Sequence, residues 1–496
     1  PPQRFGRGGG VAPGTCYRLY SKGDFEVMDD RPTPELQRTA LESACLQTCS
    51  MMEHSSDFFR VQDFLARAMD PPEEESVGFA IDRLTKIGAI TTLACGEDGI
   101  EKEHVTPLGR CLARLPLDPA TGKMLVMAVV MKCLGPLLTA ASCFSSKNAF
   151  YEPPKEREKT KEIRKAFSSE SDILASVRAY DEFWDKIQTE GWKTAREWAY
   201  QKNVSISAMT SIKAVRTQLL NELRKAGLVP REDIIGNSRR RSRAVGKGEL
   251  YPAATVNINA DCEMLTRAIW CTAFPENLAS RRRIGRFGTV RTSREDDAGL
   301  HPSSVLFHRK PPPSDEVLPD WYLYREKVRT SDLFLRGCST LSPEQILLFG
   351  GYDLKRHGED SGGNHFDYTS DDDDHQIRCV LDGWILVEGK NSKETIDSLL
   401  RARENIEMIF ERSIMYPKHL KKRRGKTMLV DSSVDDTGSN GDHIWAYQND
   451  EFNDDSVIAG VRELFDSLTL DQNSRIYEKE LEIPSDDFHD YFLEQG

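Results

Sequence analysis

Two arginines set among glycines constrain the fold of this chain more than any other stretch. Gln3, Arg4 and Arg7 stand in the run PPQRFGRGGG, and residues 16–20 after it are predicted to form a strand. Arginine donates a bidentate pair of hydrogen bonds and glycine lets the backbone approach closely, so the run suits a phosphate group. A disordered Arg/Gly arm has the same composition, and the ten residues alone support both interpretations about equally. The strand that follows favours a glycine loop joined to folded structure.

Length and composition describe an intracellular protein of several domains. The 496 residues suggest three or four domains, and we expect them to be part of a longer chain. No signal peptide or apolar run of membrane-spanning length is found, so we expect no membrane association. The 11 cysteines include no CxxC pair, which predicts reduced thiols and no metal site.

The net charge of −12 is concentrated at one end of the chain. Residues 431–496 contain 18 acidic and three basic side chains, so the preceding part carries a small net positive charge. We expect residues 416–496 to be a basic run followed by an acidic, largely disordered tail. The apolar stretch 457–468 could dock as a helix. Two basic runs, 239–243 and 418–426, could touch RNA, although solubility or a localisation signal would also account for them.

The glycine-arginine run resembles motif VI of the DEAH-box family of ATP-dependent helicases. That family has Gln-Arg-x-Gly-Arg-Ala-Gly-Arg, then Pro-Gly and a Cys-Tyr-x-Leu-Tyr strand. Further family motifs follow in the family's order, at Pro34 to Leu41, Thr106 to Arg110, Leu115 to Pro119, His301 to Val305, Tyr322 to Thr330 and Leu347 to Gly351. Motifs spaced in the correct order are more specific than any one of them, and the resemblance covers about residues 3 to 415.

The resemblance implies an α+β multidomain architecture. It divides the chain into the end of a second RecA-like domain (1–30), a winged helix (31–113), a ratchet-like helical domain (114–230), a basic linker (231–254), an OB-type β-barrel (255–415) with an acidic insertion (358–376), and the C-terminal extension described above.

Local patterns predict many of the elements within these domains. Helical spacing and capping residues predict helices over 35–48 and 76–87, one or two buried helices within 121–143, and helices that begin after Ser171 and Ser205. Short strands are predicted at 90–93, 103–106, 305–307, 321–324, 332–336 and 379–387. The charged run 153–165 is equally compatible with a solvated helix face and with RNA contact.

For ATP, the resemblance assigns Gln3 and Arg7 to the γ-phosphate as catalytic residues, and Gln3, Arg4 and Arg7 to cofactor binding. Mg²⁺-ATP itself would be bound mainly by an N-terminal part, because this chain has no Walker A motif and no DEAH box and cannot hydrolyse ATP alone. The family's last arginine, the finger that stabilises the transition state, falls on Gly10. A finger can contribute several orders of magnitude in rate, so the departure leaves open whether the parent protein hydrolyses ATP quickly.

The resemblance also implies an RNA-binding surface on the barrel, since such barrels bind single strands with a basic groove. The candidate contacts are Arg281, Arg283, Arg286, His301, Ser303, Arg325 and Lys327. The leading hypothesis is an ATP-dependent RNA helicase that translocates, unwinds or remodels single-stranded or structured RNA. A catalytically weakened RNA-binding scaffold and a protein-interaction platform are the alternatives, with a protein cofactor possible on the barrel or the tail.

Overall fold

The structure is a computed structural model that divides into two units. Residues 1–85 and 90–104 form the first unit, and residues 86–89 and 105–496 form the second. The described residues are 17, 19–28, 33–52, 60–95, 100–153, 155–230, 254–282, 287–295, 297–309, 311, 318–330, 332–352, 354–356, 377–382, 384–389, 393–415 and 454–470. Helices and sheets both contribute to the second unit, which confirms the predicted α+β class.

The first unit contains short helices and a two-stranded sheet. Its elements are α1 (Lys22–Val27), a 3-10 turn (Glu35–Gln37), α2 (Glu42–Met52), α3 (Val61–Leu65), α4 (Glu74–Lys86, whose last residue belongs to the second unit), β1 (Ile90–Cys95) and β2 (Ile100–Val105), which begins in this unit and pairs with β1. The helix at 76–87 and the two strands are confirmed.

The predicted helix over 35–48 is wrong in its first half. The Thr39 hydroxyl donates to the Glu35 carbonyl at 2.7 Å, and Arg38 leaves helical geometry with φ −128° and ψ −4°. A threonine side chain that bonds to a nearby carbonyl competes with regular helix formation. The chain therefore turns once, buries Leu41, and begins a new helix at Glu42.

A helical bundle forms the first part of the second unit. After α5 (Pro107–Leu112), the bundle comprises α6 (Pro119–Val130), α7 (Leu134–Phe144), α8 (Arg157–Phe167), α9 (Asp172–Thr189), α10 (Trp192–Gln201) and α11 (Ile206–Lys225). Ser171 and Ser205 cap α9 and α11 as predicted, each accepting a hydrogen bond from a first-turn N–H. Helices α6 and α7 are almost entirely buried, which confirms the two buried helices within 121–143.

A seven-stranded sheet follows the bundle and the helix α12 (Glu263–Trp270). Its strands are β3 (Leu278–Arg281), β4 (Thr289–Thr292), β5 (Ala298–Leu300), β6 (Trp321–Leu323), β7 (Glu326–Arg329), β8 (Leu333–Arg336) and β9 (Ser339–Leu341). Among the described residues the strand order is β7-β8-β5-β4-β3-β6-β9, with β5 and β8 parallel and the other pairs antiparallel. We refer to these seven strands as the sheet.

The remaining elements are α13 (Pro343–Phe349), β10 (Leu354–Arg356), β11 (Ile377–Leu381), β12 (Ile385–Gly389), α14 (Lys393–Met415) and α15 (Asp454–Leu470). The single strand predicted over 379–387 is two antiparallel strands, because Asp382 takes a φ of +50° and reverses the chain. Helix α15 contains the apolar stretch predicted to dock. Its residues Ile458, Val461 and Phe465 are buried, and Arg462 donates to both carboxylate oxygens of Asp261 at 2.9 Å.

The described part of the chain has no helix that is both long and apolar enough to cross a membrane. Eight cysteines form no disulfide with one another, namely Cys45, Cys49, Cys111, Cys133, Cys143, Cys262, Cys271 and Cys338. Burial raises the pKa of several of them, including that of Cys45 to about 12.

One buried carboxylate joins the bundle to the sheet. Asp172, in the first turn of α9, accepts hydrogen bonds from the N–H groups of Val305 at 2.8 Å and Cys338 at 2.9 Å. It also accepts from the Ser304 hydroxyl at 2.7 Å and from the Arg164 guanidinium at 3.2 Å. A backbone hydrogen bond joins the same two segments, because the Asp172 N–H donates to the Cys338 carbonyl at 2.9 Å.

The same carboxylate explains why the strand predicted at 305–307 is wrong. The N–H of Val305 is bonded to Asp172, and the segment closes on itself through Ser304 N–H to His301 carbonyl and Phe307 N–H to Ser304 carbonyl bonds at 2.8 and 3.2 Å. These turns replace the cross-strand bonds that a strand would need.

Substituting Asp172 by alanine is expected to loosen the junction. The change leaves one N–H group of Arg164 and three other buried donors without their acceptor, while Arg164 keeps its pair with Glu152, and the expected cost is about 3–5 kcal/mol. Hydrogen–deuterium exchange should accelerate roughly a hundredfold or more in segments 303–307 and 337–340. The matched control is Asp118→Ala, which removes an exposed cap that accepts from Thr121 N–H at 2.9 Å and should cost about 1 kcal/mol. Equal exchange of the two segments in both variants would contradict a special role for Asp172.

Candidate nucleic-acid interface

The structure describes five of the candidate RNA contacts, and each of the five has a defined hydrogen-bonding or ion-pair partner. These five are Arg281, His301, Ser303, Arg325 and Lys327. Arg283, Arg286 and the phosphate-site residues Gln3, Arg4, Arg7 and Gly10 lie outside the described residues.

Arg281 ends strand β3 and is paired with an acid. Its guanidinium lies 2.5 Å from a carboxylate oxygen of Asp320, and its N–H donates to the Asp320 carbonyl at 2.8 Å. Both side chains are about 30% exposed, at 28% and 30%. Because the pair is partly open to solvent, its net stabilisation is small and a phosphate can compete for the guanidinium.

Arg325 links the sheet to the bundle. Its guanidinium donates to the carbonyl of Phe144, the last residue of α7, at 2.8 Å, and lies 5.0 Å from the Phe144 ring centroid. A cation at a helix C-terminus stabilises the unpaired carbonyls and the negative end of the helix dipole. Arg325 is therefore fixed by the fold, with a structural role alongside any contact to a ligand.

Lys327 lies on β7 and forms an ion pair with Glu295. Its ammonium also donates to the Thr292 hydroxyl at 3.3 Å and lies 5.7 Å from the Tyr324 ring centroid. Partial burial acts to raise the pKa of the Glu295 carboxyl, but hydrogen bonds from Lys327 and Thr292 lower this pKa below its usual range. The glutamate is thus ionised at neutral pH and holds the lysine in place.

His301 and Ser303 form a compact polar turn. The Ser303 N–H donates to His301 Nδ1 at 3.1 Å, and the Ser303 hydroxyl lies 2.8 Å from the same nitrogen. His301 Nε2 lies 3.0 Å from a guanidinium nitrogen of the exposed Arg336, and its ring meets Phe334 edge-on. Partial burial and the Arg336 charge lower the pKa of His301, so the neutral imidazole predominates at neutral pH.

Arg164 connects this turn to the bundle. Its guanidinium donates to the Ser303 carbonyl at 2.7 Å and to the Glu152 carboxylate at 3.0 Å, and lies 5.7 Å from the Phe150 ring centroid. We name the line of residues Glu152, Arg164, Ser303, His301 and Arg336 the seam. It crosses from bundle to sheet as one connected set of hydrogen bonds.

Sequence reasoning missed three seam residues, Glu152, Arg164 and Arg336. Arg164 lies in the charged run whose role stayed open between a solvated face and RNA contact. The available signal was its spacing, since Thr160, Arg164 and Phe167 recur at intervals of four and three and all are buried. An arginine on the buried face of a helix predicts an internal partner. Nothing comparable in the sequence distinguished Arg336.

The seam links a buried arginine, a neutral imidazole and an exposed arginine through hydrogen bonds. Within the described ranges, no group of three His, Cys, Asp or Glu side chains is arranged to hold a metal ion.

Three family models match consecutive parts of the chain. The winged-helix part of the helicase associated domain (HA2) matches residues 80–117, its ratchet-like part matches 118–203, and an oligonucleotide/oligosaccharide-binding (OB) fold matches 266–352. The ratchet-like match contains α8 and Arg164, and the OB-fold match contains the turn of His301 and Ser303. The seam therefore joins these two matched regions, and all of its residues lie within them.

Curated relatives match over most of the chain. The rat ATP-dependent DNA/RNA helicase DHX36 is 29% identical over 84% of this chain and 37% of its own length. The Arabidopsis thaliana DExH-box ATP-dependent RNA helicase DExH3 is 31% identical over 70% of this chain and 26% of its own length. The Xenopus laevis ATP-dependent RNA helicase dhx29 is 29% identical over 72% and 24%. The chain thus spans about a quarter to two fifths of the length of these relatives.

The titration of His301 tests the electrostatics of the seam. Because its pKa is lowered in the folded state, the stability that the neutral ring contributes is complete above the unfolded pKa of about 6.5 and declines as the pH falls toward the lower folded value. Histidine NMR signals should give a pKa below 6.5 in the wild type, and Arg336→Gln should raise it. Arg329→Gln, which removes another exposed cation of the sheet, should leave the titration unchanged. A wild-type pKa at or above 6.5 would contradict this placement.

Proposed function

Because this chain belongs to the DEAH-box helicase family and carries its winged-helix, ratchet-like and OB-fold domains, we propose that it is the RNA-engaging part of an ATP-dependent RNA helicase. The domain limits that we propose are 31–113, 114–230 and 255–415, in that order. The observation that carries the proposal is the seam, where a buried arginine and a buried aspartate hold the ratchet-like region and the OB-fold turn in one arrangement.

A rigid seam suits a protein that must hold a flexible strand while work is done on it. The backbone of a single strand carries one negative charge per nucleotide, and cations fixed in advance bind it without a further loss of side-chain entropy. We propose Arg281, Arg283, Arg286, His301, Ser303, Arg325 and Lys327 as contacts to single-stranded or structured RNA, with Arg336 as an additional cation of the seam.

Two of these cations form ion pairs, and RNA phosphates would have to replace the paired carboxylates on binding. Lys327 is held by Glu295 and Arg281 by Asp320, and none of these four side chains is fully buried. Partly exposed pairs contribute about 0–1 kcal/mol each, so phosphates can displace the carboxylates at small cost. The carboxylates also keep the cations extended and oriented before RNA arrives.

We propose that ATP with Mg²⁺ drives this protein and that Gln3, Arg4 and Arg7 face the nucleotide phosphates. The ATP-binding motifs absent from this sequence would come from an N-terminal part of the parent protein, and hydrolysis there would move or remodel RNA held by the seam. We place the protein inside the cell, without a membrane partner.

A second candidate function follows from Gly10. Gly10 occupies the motif position at which the family has its arginine finger. A glycine supplies no charge to stabilise the phosphoryl-transfer transition state. The parent protein would then be an RNA-binding scaffold that hydrolyses ATP weakly. A platform that binds proteins through the OB-fold or the acidic tail remains the third hypothesis, and salt-dependent RNA binding separates it from the first two.

RNA binding is tested in two ways: by removing two cations, and by removing the acidic partner of one cation. The double variant Arg283→Gln, Lys327→Gln should bind a single-stranded oligonucleotide more weakly. Its slope of log affinity against log salt concentration should fall by about two, one for each lost phosphate contact. Glu295→Gln keeps the Lys327 charge and removes its partner, so it should bind RNA more tightly than the wild type.

The matched control is Lys22→Gln, which removes a lysine that is 91% exposed in the first unit. Its affinity and salt slope should equal those of the wild type. The proposal fails if the wild type shows no salt-dependent RNA binding, and Lys327 is excluded as a contact if Glu295→Gln has no effect.

ATP turnover is tested in a protein that joins this chain to its ATP-binding domains. Arg7→Ala should abolish RNA-stimulated phosphate release, whereas Gly10→Arg should raise the turnover number with a smaller change in ATP affinity, because a finger acts mainly on the transition state. Gly10→Ala is the matched control, since it alters the backbone freedom of this position without adding charge. A fast wild type that Gly10→Arg leaves unchanged would show that another residue acts as the finger. An inactive wild type would favour the scaffold.

A further inference from the structure

Helix α15 packs against α12 and α14 through one apolar face. Ile458, Val461 and Phe465 recur at intervals of three and four residues, as one face of a helix requires, and all three side chains are buried. Residues 416–453 separate this helix from the end of α14 in the sequence. The helix is therefore a distinct element that the second unit holds through side-chain contacts.

Charged residues of α15 contact two turns of the second unit. Asp455 accepts a hydrogen bond at 2.8 Å from the ammonium of Lys132, which lies in the turn between α6 and α7. Arg462 donates to both carboxylate oxygens of Asp261 at 2.9 Å and to the Ile258 carbonyl at 3.2 Å, in the turn before α12. One helix thus contacts both turns.

The two turns are also bonded to each other. The Asn259 N–H donates to the Lys132 carbonyl at 2.8 Å, and the Asn259 side-chain amide donates to the Met131 carbonyl at 3.0 Å. Lys132 has a φ of +57°, a left-handed conformation that costs free energy in a residue with a side chain. Such a conformation persists where the surrounding structure holds it, and α15 supplies one of the contacts that do so.

Helix α12 connects the second turn to the Asp172 junction. Arg267 of α12 donates to the Thr340 hydroxyl of β9 at 2.5 Å and forms an ion pair with Glu170 at 2.5 Å. The Thr340 N–H donates at 2.9 Å to the carbonyl of Glu170, which stands two residues before Asp172. Hydrogen bonds and one helix therefore form a continuous path from α15 to the carboxylate that positions the seam.

The way in which α15 is held suits a helix that leaves its seat while the core stays folded. A helix of 17 residues is marginally stable by itself. The pair with Lys132 contributes little because the Asp455 side chain is 68% exposed, whereas bidentate geometry makes Arg462 the stronger attachment. Peripheral elements of this kind open locally at a lower free energy than the core around them.

We propose that α15 is a regulatory clamp with a docked and a released state. In the docked state Arg462 holds the turn before α12 and, through it, the Asp172 junction, so the seam is preorganised for RNA. In the released state the turn and α12 are less constrained, and RNA is held less tightly. This inference rests on the proposed RNA-binding function and adds to it a means of control outside the seam.

Thermodynamic linkage makes this coupling reciprocal. If docking of α15 favours RNA binding by some factor, bound RNA must favour docking by the same factor. A helix with a purely structural role would have one state, and RNA would leave its opening unchanged. Protection of α15 by RNA therefore distinguishes a clamp from a helix that only adds stability.

Hydrogen–deuterium exchange of the full chain tests the two states. In the wild type, α15 and residues 257–262 should exchange faster than the bundle helices α9 and α11, and saturating decauridine should slow the exchange of α15 about fivefold or more. Arg462→Gln should accelerate exchange in α15 and in 257–262 about tenfold and leave α9 and α11 unchanged. Glu463→Gln is the matched control, since it alters an exposed neighbour on the same helix and should change neither rate.

The effect on RNA is tested in a variant that releases the helix without changing any charge. The double variant Val461→Ala, Phe465→Ala removes two buried apolar side chains, so α15 should lose its protection while α9 and α11 keep theirs. Its affinity for labelled decauridine, measured by fluorescence anisotropy, should fall by the same factor by which decauridine slows the exchange of wild-type α15. The salt slope should remain that of the wild type, because no phosphate contact is lost.

The outcomes distinguish this inference from the proposed function. The clamp is refuted if α15 of the wild type exchanges at the rate of α9 and α11, since the helix then opens only with the core. The coupling is refuted if decauridine leaves the exchange of α15 unchanged, or if the released variant binds decauridine like the wild type. A wild type that binds no decauridine refutes the proposed function and the coupling together.

Discussion

A buried carboxylate, Asp172, holds the second unit of this protein together. A charge removed from water is stable only when its hydrogen-bonding capacity is filled, and Asp172 is surrounded by two backbone N–H groups, a hydroxyl and the Arg164 guanidinium. Those donors come from three separate stretches of the sheet region and the bundle. The carboxylate therefore acts as a positional constraint, because any shift of one stretch would leave a buried donor or acceptor without its partner.

The proposed binding surface inherits its rigidity from this constraint. Arg164 is shared, since the same guanidinium bonds to Asp172 inside the junction and to the Ser303 carbonyl at the seam. Ser303 in turn donates to His301, whose ring faces Arg336. A strand bound at the seam would therefore meet groups whose positions are set before binding, and preorganisation of this kind reduces the entropic cost of association.

The proposed binding surface presents cations although the chain as a whole has a net charge of −12. The cations of the sheet are held by neighbouring acids, so they are oriented but are not withdrawn from solvent. The acidic helix α15 is held separately, through Arg462 to Asp261 and through Asp455 to Lys132 at 2.8 Å. Asp455 thus uses one negative charge of the C-terminal region in a contact with the bundle, whereas the contact with the segment before α12 is made by the positive charge of Arg462.

The sequence by itself determined two things about this protein. It determined the helices and strands that depend on interactions between neighbouring residues, and it indicated the family. Capping serines such as Ser171 and Ser205, apolar spacing in α4 and the order of short motifs all act over a few residues, and they were readable without coordinates. The motif order also indicated which domains to expect. The roles of Gln3 and Arg7 rest on that resemblance alone and stay predictions.

Only the tertiary structure decided where a hydrogen-bonding partner far away in the sequence overrides the secondary structure that a segment favours locally. Val305 lies in an apolar stretch that favours a strand, yet its N–H bonds to a carboxylate 133 residues away and the segment forms turns. Arg325 looked like one more basic residue near a barrel strand, and it caps a helix that ends 181 residues earlier. Periodicity and propensity report what a segment can do alone, whereas the choice of a buried hydrogen-bonding partner depends on which distant donors and acceptors folding brings together.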